Sequence, residues 1–303
     1  MCLLHWGWIL IIKGKFPGFH ELKIMSLSVK PVEIIKVTSK GSKATPDLMA
    51  VEEPLEIRIG FGREGERQQK SLSVTMRTPG HDFELATGFL FTEGLIESFD
   101  QIESIKYCED VGRQEEKDNV VRVELKPSII IDFEKLQRNF YISSSCGVCG
   151  KSSIESVQVS CKLIKDEIQL DRNIVHTLSD QLREAQQIFE HTGGLHAVGL
   201  FDLKGKLLLT REDVGRHNAM DKIVGACLFK KEIPLSDKIL MVSGRASFEL
   251  VQKAGRAGSP IMAAVGAPSS LAVSLARDLG MTLLGFVRDR SFNIYCGNQR
   301  AAN

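Results

Sequence analysis

The sequence predicts an α/β fold, and three observations predict it. Apolar runs at 238–243, 261–267 and 281–287 alternate with helical patterns at 246–257 and 269–279. Each run is almost continuously apolar, as a strand covered on both faces must be. The first half of the chain carries shorter runs of apolar–polar alternation, the pattern of half-buried strands. At 303 residues, 43% hydrophobic and 25% charged, the chain is long enough for one large or two medium domains. The expected division is an extension over 1–29, a smaller α+β part over 30–165 and an α/β domain over 166–303, with the boundary near Cys161–Asp171.

The extension opens with an apolar run, Cys2 to Ile12, that includes both tryptophans. It is too short for the roughly 20 residues that a spanning helix needs. It also lacks the basic start and small-residue cleavage site of a signal peptide. Met25 precedes a polar stretch, Ser26–Lys30, that reads as an ordinary protein start, so residues 1–24 are expected to be dispensable. Ile34–Val37 and Leu55–Ile59 read as strands, with a glycine- and charge-rich turn from Gly60 to Gln69. Thr78-Pro79-Gly80-His81 leads into a helix capped by Asp82, with Phe83, Ala86, Phe89 and Leu90 as its apolar face and Gly94 as its stop. His81 is a candidate base, although a histidine beside a helix start is more often merely solvated. Strands follow at 102–107 and 120–125.

Past the boundary, Ser179–His191 is amphipathic through Leu182, Ala185 and Phe189 and stops at Gly193-Gly194. Leu195–Leu203 and Leu207–Thr210 form a hairpin turned at Lys204-Gly205. A helix over 218–228 then opens the strand–helix alternation.

The most reactive stretch is Ser143-Ser144-Ser145-Cys146-Gly147-Val148-Cys149-Gly150-Lys151-Ser152-Ser153. Serine and glycine neighbours make an exposed backbone, whereas a structural cysteine would have apolar ones. Ser152 and Glu155 fit a capping box, so a helix is expected just after Cys149. Its positive end and Lys151 favour thiolate over thiol. A reactive sulfur is the favoured reading. Half of a zinc site and a thioredoxin-like dithiol stay open beside it, but Cys108, Cys161, Cys227 and Cys296 are scattered and supply no second close pair. Seven cysteines, an odd number, form no disulfide framework, and a reducing cytoplasm is the expected compartment. A net charge of +1 gives no basic field for nucleic acid, and nothing points to a membrane.

Three strand ends carry a second signal. They run into Ser243-Gly244-Arg245, Pro268-Ser269-Ser270 and Arg288-Asp289-Arg290, at the edge where parallel α/β sheets bind ligands and helix N-termini present free N–H groups. Serines there are ordinarily caps and arginines ordinarily surface charges, yet three such segments on one edge favour a phosphorylated, nucleotide-containing ligand. The polar run from Arg211 to His217 adds a fourth.

Ser144–Lys151, Thr192–His196, Arg211–Asp221, Ser243–Lys253 and Ala267–Leu271 together resemble the formate dehydrogenase accessory sulfurtransferase family (FdhD). Thr78-Pro79-Gly80 with Glu84–Phe89 is similar to its N-terminal motif, with His81 where an acidic residue is common. The resemblance covers roughly residues 30–300. It implies a cytidine-deaminase-like three-layer α/β/α domain behind the smaller α+β part, and a homodimer. It implies a sulfur carrier between a cysteine desulfurase and the molybdenum (or tungsten) bis-molybdopterin guanine dinucleotide cofactor, bound as substrate and destined for formate dehydrogenase. By the same resemblance Cys146 would carry the persulfide with Cys149 assisting, and Phe286, Val287, Arg288, Asp289, Arg290 and Ser291 would contact the cofactor. Ser243, Gly244, Arg245, Ser269 and Ser270 join them from the strand ends. No deaminase activity and no structural metal are expected, because His-x-Glu with Pro-Cys-x-x-Cys is missing. A cofactor-binding chaperone without essential thiols and a thiol redox sensor are the competing classes.

Removal of residues 1–24 is expected to leave solubility and thermal stability unchanged. Purification and melting of a chain that starts at Met25 tests this, and insoluble protein would mean that the apolar run packs on the core.

Overall fold

The structure, a computed structural model, describes residues 27–108, 114–129, 131, 161–165 and 168–301. The chain begins with an antiparallel ribbon of β1 (Val29–Thr38) and β2 (Gly41–Ala50). The sequence reading found part of β1 and missed β2, whose Gly, Pro and Asp give it little strand propensity and whose pairing supplies the difference. A four-stranded sheet follows, built from β3 (Glu53–Phe61), β4 (Gln68–Arg77), β5 (Ile102–Tyr107) and β6 (Val120–Leu125) in the order β4-β3-β6-β5. Helix α1 (Asp82–Thr92) lies between β4 and β5 in the chain.

The second half contains α2 (Arg172–Ala185), α3 (Gln187–Thr192), β7 (His196–Asp202), β8 (Leu207–Asp213), α4 (Arg216–Phe229), β9 (Lys238–Val242), α5 (Phe248–Arg256), β10 (Ile261–Ala264), α6 (Ser270–Asp278), β11 (Thr282–Arg288) and β12 (Ser291–Cys296). Its sheet runs β12-β11-β10-β9-β7-β8. Strands β9, β10 and β11 pair in parallel; β7 and β12 flank them antiparallel, and β8, antiparallel to β7, runs in the same direction as β9. The sheet is therefore mixed.

Alternate strand residues face opposite layers. Leu240, Val242, Met262 and Ala264 pack with α4, α5 and α6, whereas Ile239, Met241, Ile261 and Ala263 pack with Val175, Leu178 and Leu182 of α2. Helices thus cover both faces, which explains the continuous apolar runs. The single helix expected at 179–191 is two helices, α2 and α3. It starts earlier because Asp171, not Ser179, caps it by accepting from the Asn173 N–H at 2.8 Å.

The two parts expected from the sequence share one core. Leu55, Leu85 and Val123 belong to the same buried cluster as Met220, Leu240 and Leu250. The join is the crossing of α1 on α4. Both helices are buried almost all round, so α1 is not the one-faced helix its phenylalanines imply, and Phe83 and Phe89 are only partly buried. A Cβ at Gly88 would lie 1.8 Å from the Asp221 carbonyl oxygen, and one at Gly225 would lie 1.9 Å from that of Glu84. Glycine is required at both positions, because the obstacle is backbone and cannot rotate away.

Gly88→Ala or Gly225→Ala is expected to push the helices apart and cost about 3 kcal/mol or more, at or beyond the upper end of ordinary overpacking. Urea unfolding of either variant measures this. A loss under about 1 kcal/mol would mean that the crossing is looser than described.

Candidate functional site

The site grows from the polar residues that lock the two halves and from the pocket they leave at the sheet edge. Arg211, Glu212 and Asp213 sit at the end of β8, where the sequence reading expected a ligand-binding run. In the structure all three make contacts within the fold. Arg211 grips Glu84 of α1 with two hydrogen bonds, at 2.6 and 2.8 Å. Glu212 accepts the Ile188 and Phe189 N–H groups and so fixes α3. Asp213 pairs with Lys222 at 2.7 Å and accepts from the Thr78 N–H, while Lys222 donates to the Thr78 carbonyl at 2.9 Å. The motifs around Thr78 and Arg211 are two sides of one clamp.

His81 belongs to the same clamp. It is the N-cap residue of α1, in the left-handed region at φ 59°, and its Nδ1 lies 3.3 Å from Glu84. Asp82 is not the cap: it is buried and holds the buried Arg77 at 2.9 Å, with Tyr107 donating to it at 3.2 Å. Burial alone would raise the Glu84 carboxyl, but hydrogen bonds from Arg211 and His81 outweigh it and bring the pKa to about 2.

The pocket, about 560 Å³, lies at the carboxyl ends of β9 to β11, where such sheets bind ligands. Ser243, Val265, Arg288 and Asp289 come from those ends. His196 opens β7, whose antiparallel direction brings its start to the same edge. The far wall is Ser179, Asp180 and Arg183 of α2, Gln186 just past its end, Phe189 of α3, and the Gly193-Gly194 turn. Arg183 stacks its guanidinium 4.1 Å over the Phe189 ring. Hence the structure gathers Ser243, Arg288 and Asp289 from the residues expected on the edge.

The others are placed differently. Gly244 packs beside His196, since a Cβ there would lie 3.4 Å from Nδ1. Arg245 and Ser270 are exposed outside the pocket lining, and Ser269 caps α6 by accepting from Ala272. The run Ser243–Arg245 is no helix N-terminus, because α5 begins at Phe248 behind its cap Ser247. Val287 is wholly buried against the α2 side of the sheet. Phe286 sits half-buried at φ 55°, inside an irregularity of the β11–β12 pairing. Asp289 and Arg290 turn the hairpin at φ 52° and 55°, and the Ser291 hydroxyl closes it by donating to the Arg288 carbonyl. Three non-glycine residues in the left-handed region within five positions store strain, about 1–3 kcal/mol each, of a kind that clusters at functional sites.

Sequence reasoning missed Asp180, Arg183, Phe189 and His196. Two glycines followed by a histidine at a strand start, Gly193 to His196, were the available signal. Cys146, Cys149 and the capping box at Ser152 lie outside the described residues. Among the described residues no group of three or more His, Cys, Asp or Glu side chains converges to hold a metal, and no helix is long and apolar enough to cross a membrane. Cys227, buried in α4, has its thiol pushed up to about 12 by burial and is no nucleophile.

Comparison with known proteins adds the following. Residues 50–302 match the FdhD/NarQ family. A protein of Streptomyces avermitilis named sulfur carrier protein FdhD is 46% identical over 89% of this chain and 94% of its own. Proteins of the same name from Corynebacterium efficiens, 48% identical over 88% and 96%, and Saccharolobus solfataricus, 40% identical over 91% and 99%, are also similar. A crystal structure described as a formate dehydrogenase accessory protein from Desulfotalea psychrophila shares the fold, with a TM-score of 0.67 at 22% identity over 90% of this chain and 99% of that one.

Acidification is expected to release the Glu84 grip. A carboxyl held at about 2 contributes stability above its ordinary value near 4.5 and loses it as pH falls from 4.5 towards 2. The stability gap between the native chain and Glu84→Gln should therefore narrow across that window. Urea midpoints at stepped pH measure it, and a constant gap would show that the pair carries no proton-linked stability.

Proposed function

The chain belongs to the FdhD/NarQ family, and from that premise we propose that it is a sulfur carrier serving formate dehydrogenase, loaded by a cysteine desulfurase and delivering to the molybdenum (or tungsten) bis-molybdopterin guanine dinucleotide cofactor. The observation that carries the reading is the family match over residues 50–302, which contains the whole serine–glycine thiol stretch.

The chemistry follows from the cysteines. A Cys146 thiolate attacks the outer sulfur of a donor persulfide; the donor S–S bond breaks, the donor cysteine leaves as thiolate, and Cys146 keeps the sulfur. Delivery of that sulfur as sulfide requires two electrons. Attack of Cys149 on the Cys146 sulfur supplies them and leaves a Cys146–Cys149 disulfide.

The pocket suits one guanosine diphosphate half of the cofactor. Its volume lies in the usual range for small-molecule sites. Arg288 at its mouth offers a fork for phosphate, and the stacked Arg183 and Phe189 offer a platform for a base. The cofactor is cargo here, and the carrier works in the cytoplasm as a homodimer.

Incubation with desulfurase and cysteine should add one reductant-labile sulfur to the intact mass. The addition should disappear in Cys146→Ala and persist in Cys227→Ala. Arg288→Ala should keep the sulfur and weaken GDP binding about tenfold, the loss of one charge-assisted pair. Wild-type sulfur loading in Cys146→Ala would end the proposal.

A further inference from the structure

The feature the sulfur chemistry leaves unused is His196, the one imidazole in the pocket lining. We propose that His196 is an anion-binding residue of the pocket, neutral when the pocket is empty and protonated when a diphosphate enters. The inference rests on the reading of the pocket as a nucleotide diphosphate site and adds a residue and a proton to it.

The geometry is specific. The other cations of the lining lie on its walls: Arg183 is stacked on Phe189, and Arg288 is 59% exposed beside Asp289. Their charge is balanced by Asp180 and Asp289 in the same lining. His196 instead sits between the pocket and the start of α4, half-buried, with Gly244 packed at its Nδ1. Ser243 beside it is spent on the ladder, accepting from the Ala197 N–H at 2.9 Å.

Charges behind the imidazole decide its state. Arg216 and His217, at the first turn of α4, and Asp213, at the end of β8, are the charged groups whose fields reach it. Asp213 is already paired with Lys222, and the Arg216 Nε is buried with no hydrogen-bond partner among the described residues. His217 is held by Glu249 at 2.9 Å. Burial, then Arg216 and His217, lower the His196 pKa from its ordinary value, so the empty pocket holds a neutral ring. A diphosphate brings two or more negative charges to the opposite side. That should raise the pKa by at least about one unit, because one opposite charge within a few ångströms commonly moves a group by 1–3 units. The proton comes from solvent. Since the complex has the higher pKa, affinity should rise as pH falls through that value and level off below the pKa of the empty site.

The experiment is calorimetric titration of the full chain with GDP between pH 6 and 8, in buffers of different ionisation enthalpy, for wild type, His196→Gln and His196→Asn. Inorganic pyrophosphate reports the diphosphate alone. Wild type should take up a fraction of a proton more per GDP than either variant near neutrality, and more as pH falls towards 6. Its affinity advantage over them should grow on acidification, to about tenfold in all for a shift of one unit. The terminal phosphate of GDP also titrates and is coupled to His196 in the complex, so the protein side of the proton balance is read separately. An NMR titration of the wild-type histidine Cε1–H resonances reads the same shift without any substitution. GDP binding with equal proton uptake in all three, or an unmoved His196 midpoint, overturns the proposal and leaves the pocket assignment standing. Failure of wild type to bind GDP at any pH overturns both.

Discussion

The close crossing of α1 and α4 is the constraint from which the rest of the structure follows. Two helices meeting at Gly88 and Gly225 come near enough for carbonyls of one to occupy the space of a missing methyl on the other. Such proximity takes the charges at the contact out of water, and a buried charge needs a protein partner. Asp221 and Lys222 are consecutive residues of α4 and both are buried. They point their charges in different directions, and each direction is met. Lys222 reaches Asp213 and the Thr78 carbonyl. Asp221 receives Lys253 of α5 through both oxygens at 2.9 Å and the Thr92 hydroxyl at 2.7 Å.

These ion pairs are better understood as specificity than as stability. Taking two charges out of water costs several kcal/mol per ion, which the attraction in a dry interior roughly offsets. Burial would lower the Lys253 ammonium, but Asp221 and Glu93 outweigh it and hold it above its ordinary value, so the lysine stays charged. Loss of one partner is severe, about 3–5 kcal/mol, because the other charge is stranded. The clamp therefore tolerates one register of α1 on α4 and penalises others. That is its use in a chain whose two sheets are joined by helix packing.

The strand–helix alternation was legible because it depends on periodicity, and the pocket at the strand ends was legible in part, through Ser243, Arg288 and Asp289, because it depends on chain direction. What escaped the sequence depended on partners far away in the chain. β2 has weak propensity of its own and exists by pairing with β1. Asp82 looks like a helix cap from its neighbours in the sequence, yet it lies inside the helix and Arg77 claims its carboxylate. The run Arg211–Asp213 resembles a phosphate loop because both need dense charge after a strand. Only its partners, Glu84, the α3 N–H groups and Thr78, tell the two apart. His196 carried a local signal, the two glycines before it, but its place on the edge follows from β7 running antiparallel to β9, which depends on pairing and not on local pattern.

The clamp and the pocket are consequently one device in two layers. Arg211 to Asp213 bind the halves together, and Arg216 and His217, a few residues on, set the charge behind the pocket. Helix α4 carries both, since its first turn holds Arg216 and His217, whose charge reaches His196, and its middle carries Asp221, Lys222 and Gly225 in the crossing. A shift of α4 large enough to relieve a side chain at Gly225 would carry Arg216 and His217 with it. Glu212 extends the coupling to the far wall, because it fixes the α3 turn on which Phe189 stands. The strained β11–β12 turn supplies the remaining side, where a left-handed Asp289 and Arg290 hold Arg288 at the mouth. Rigid walls suit the anion proposed for this pocket. Fixed dipoles and charges need no reorganisation when it binds, whereas a mobile set would lose affinity to its own ordering.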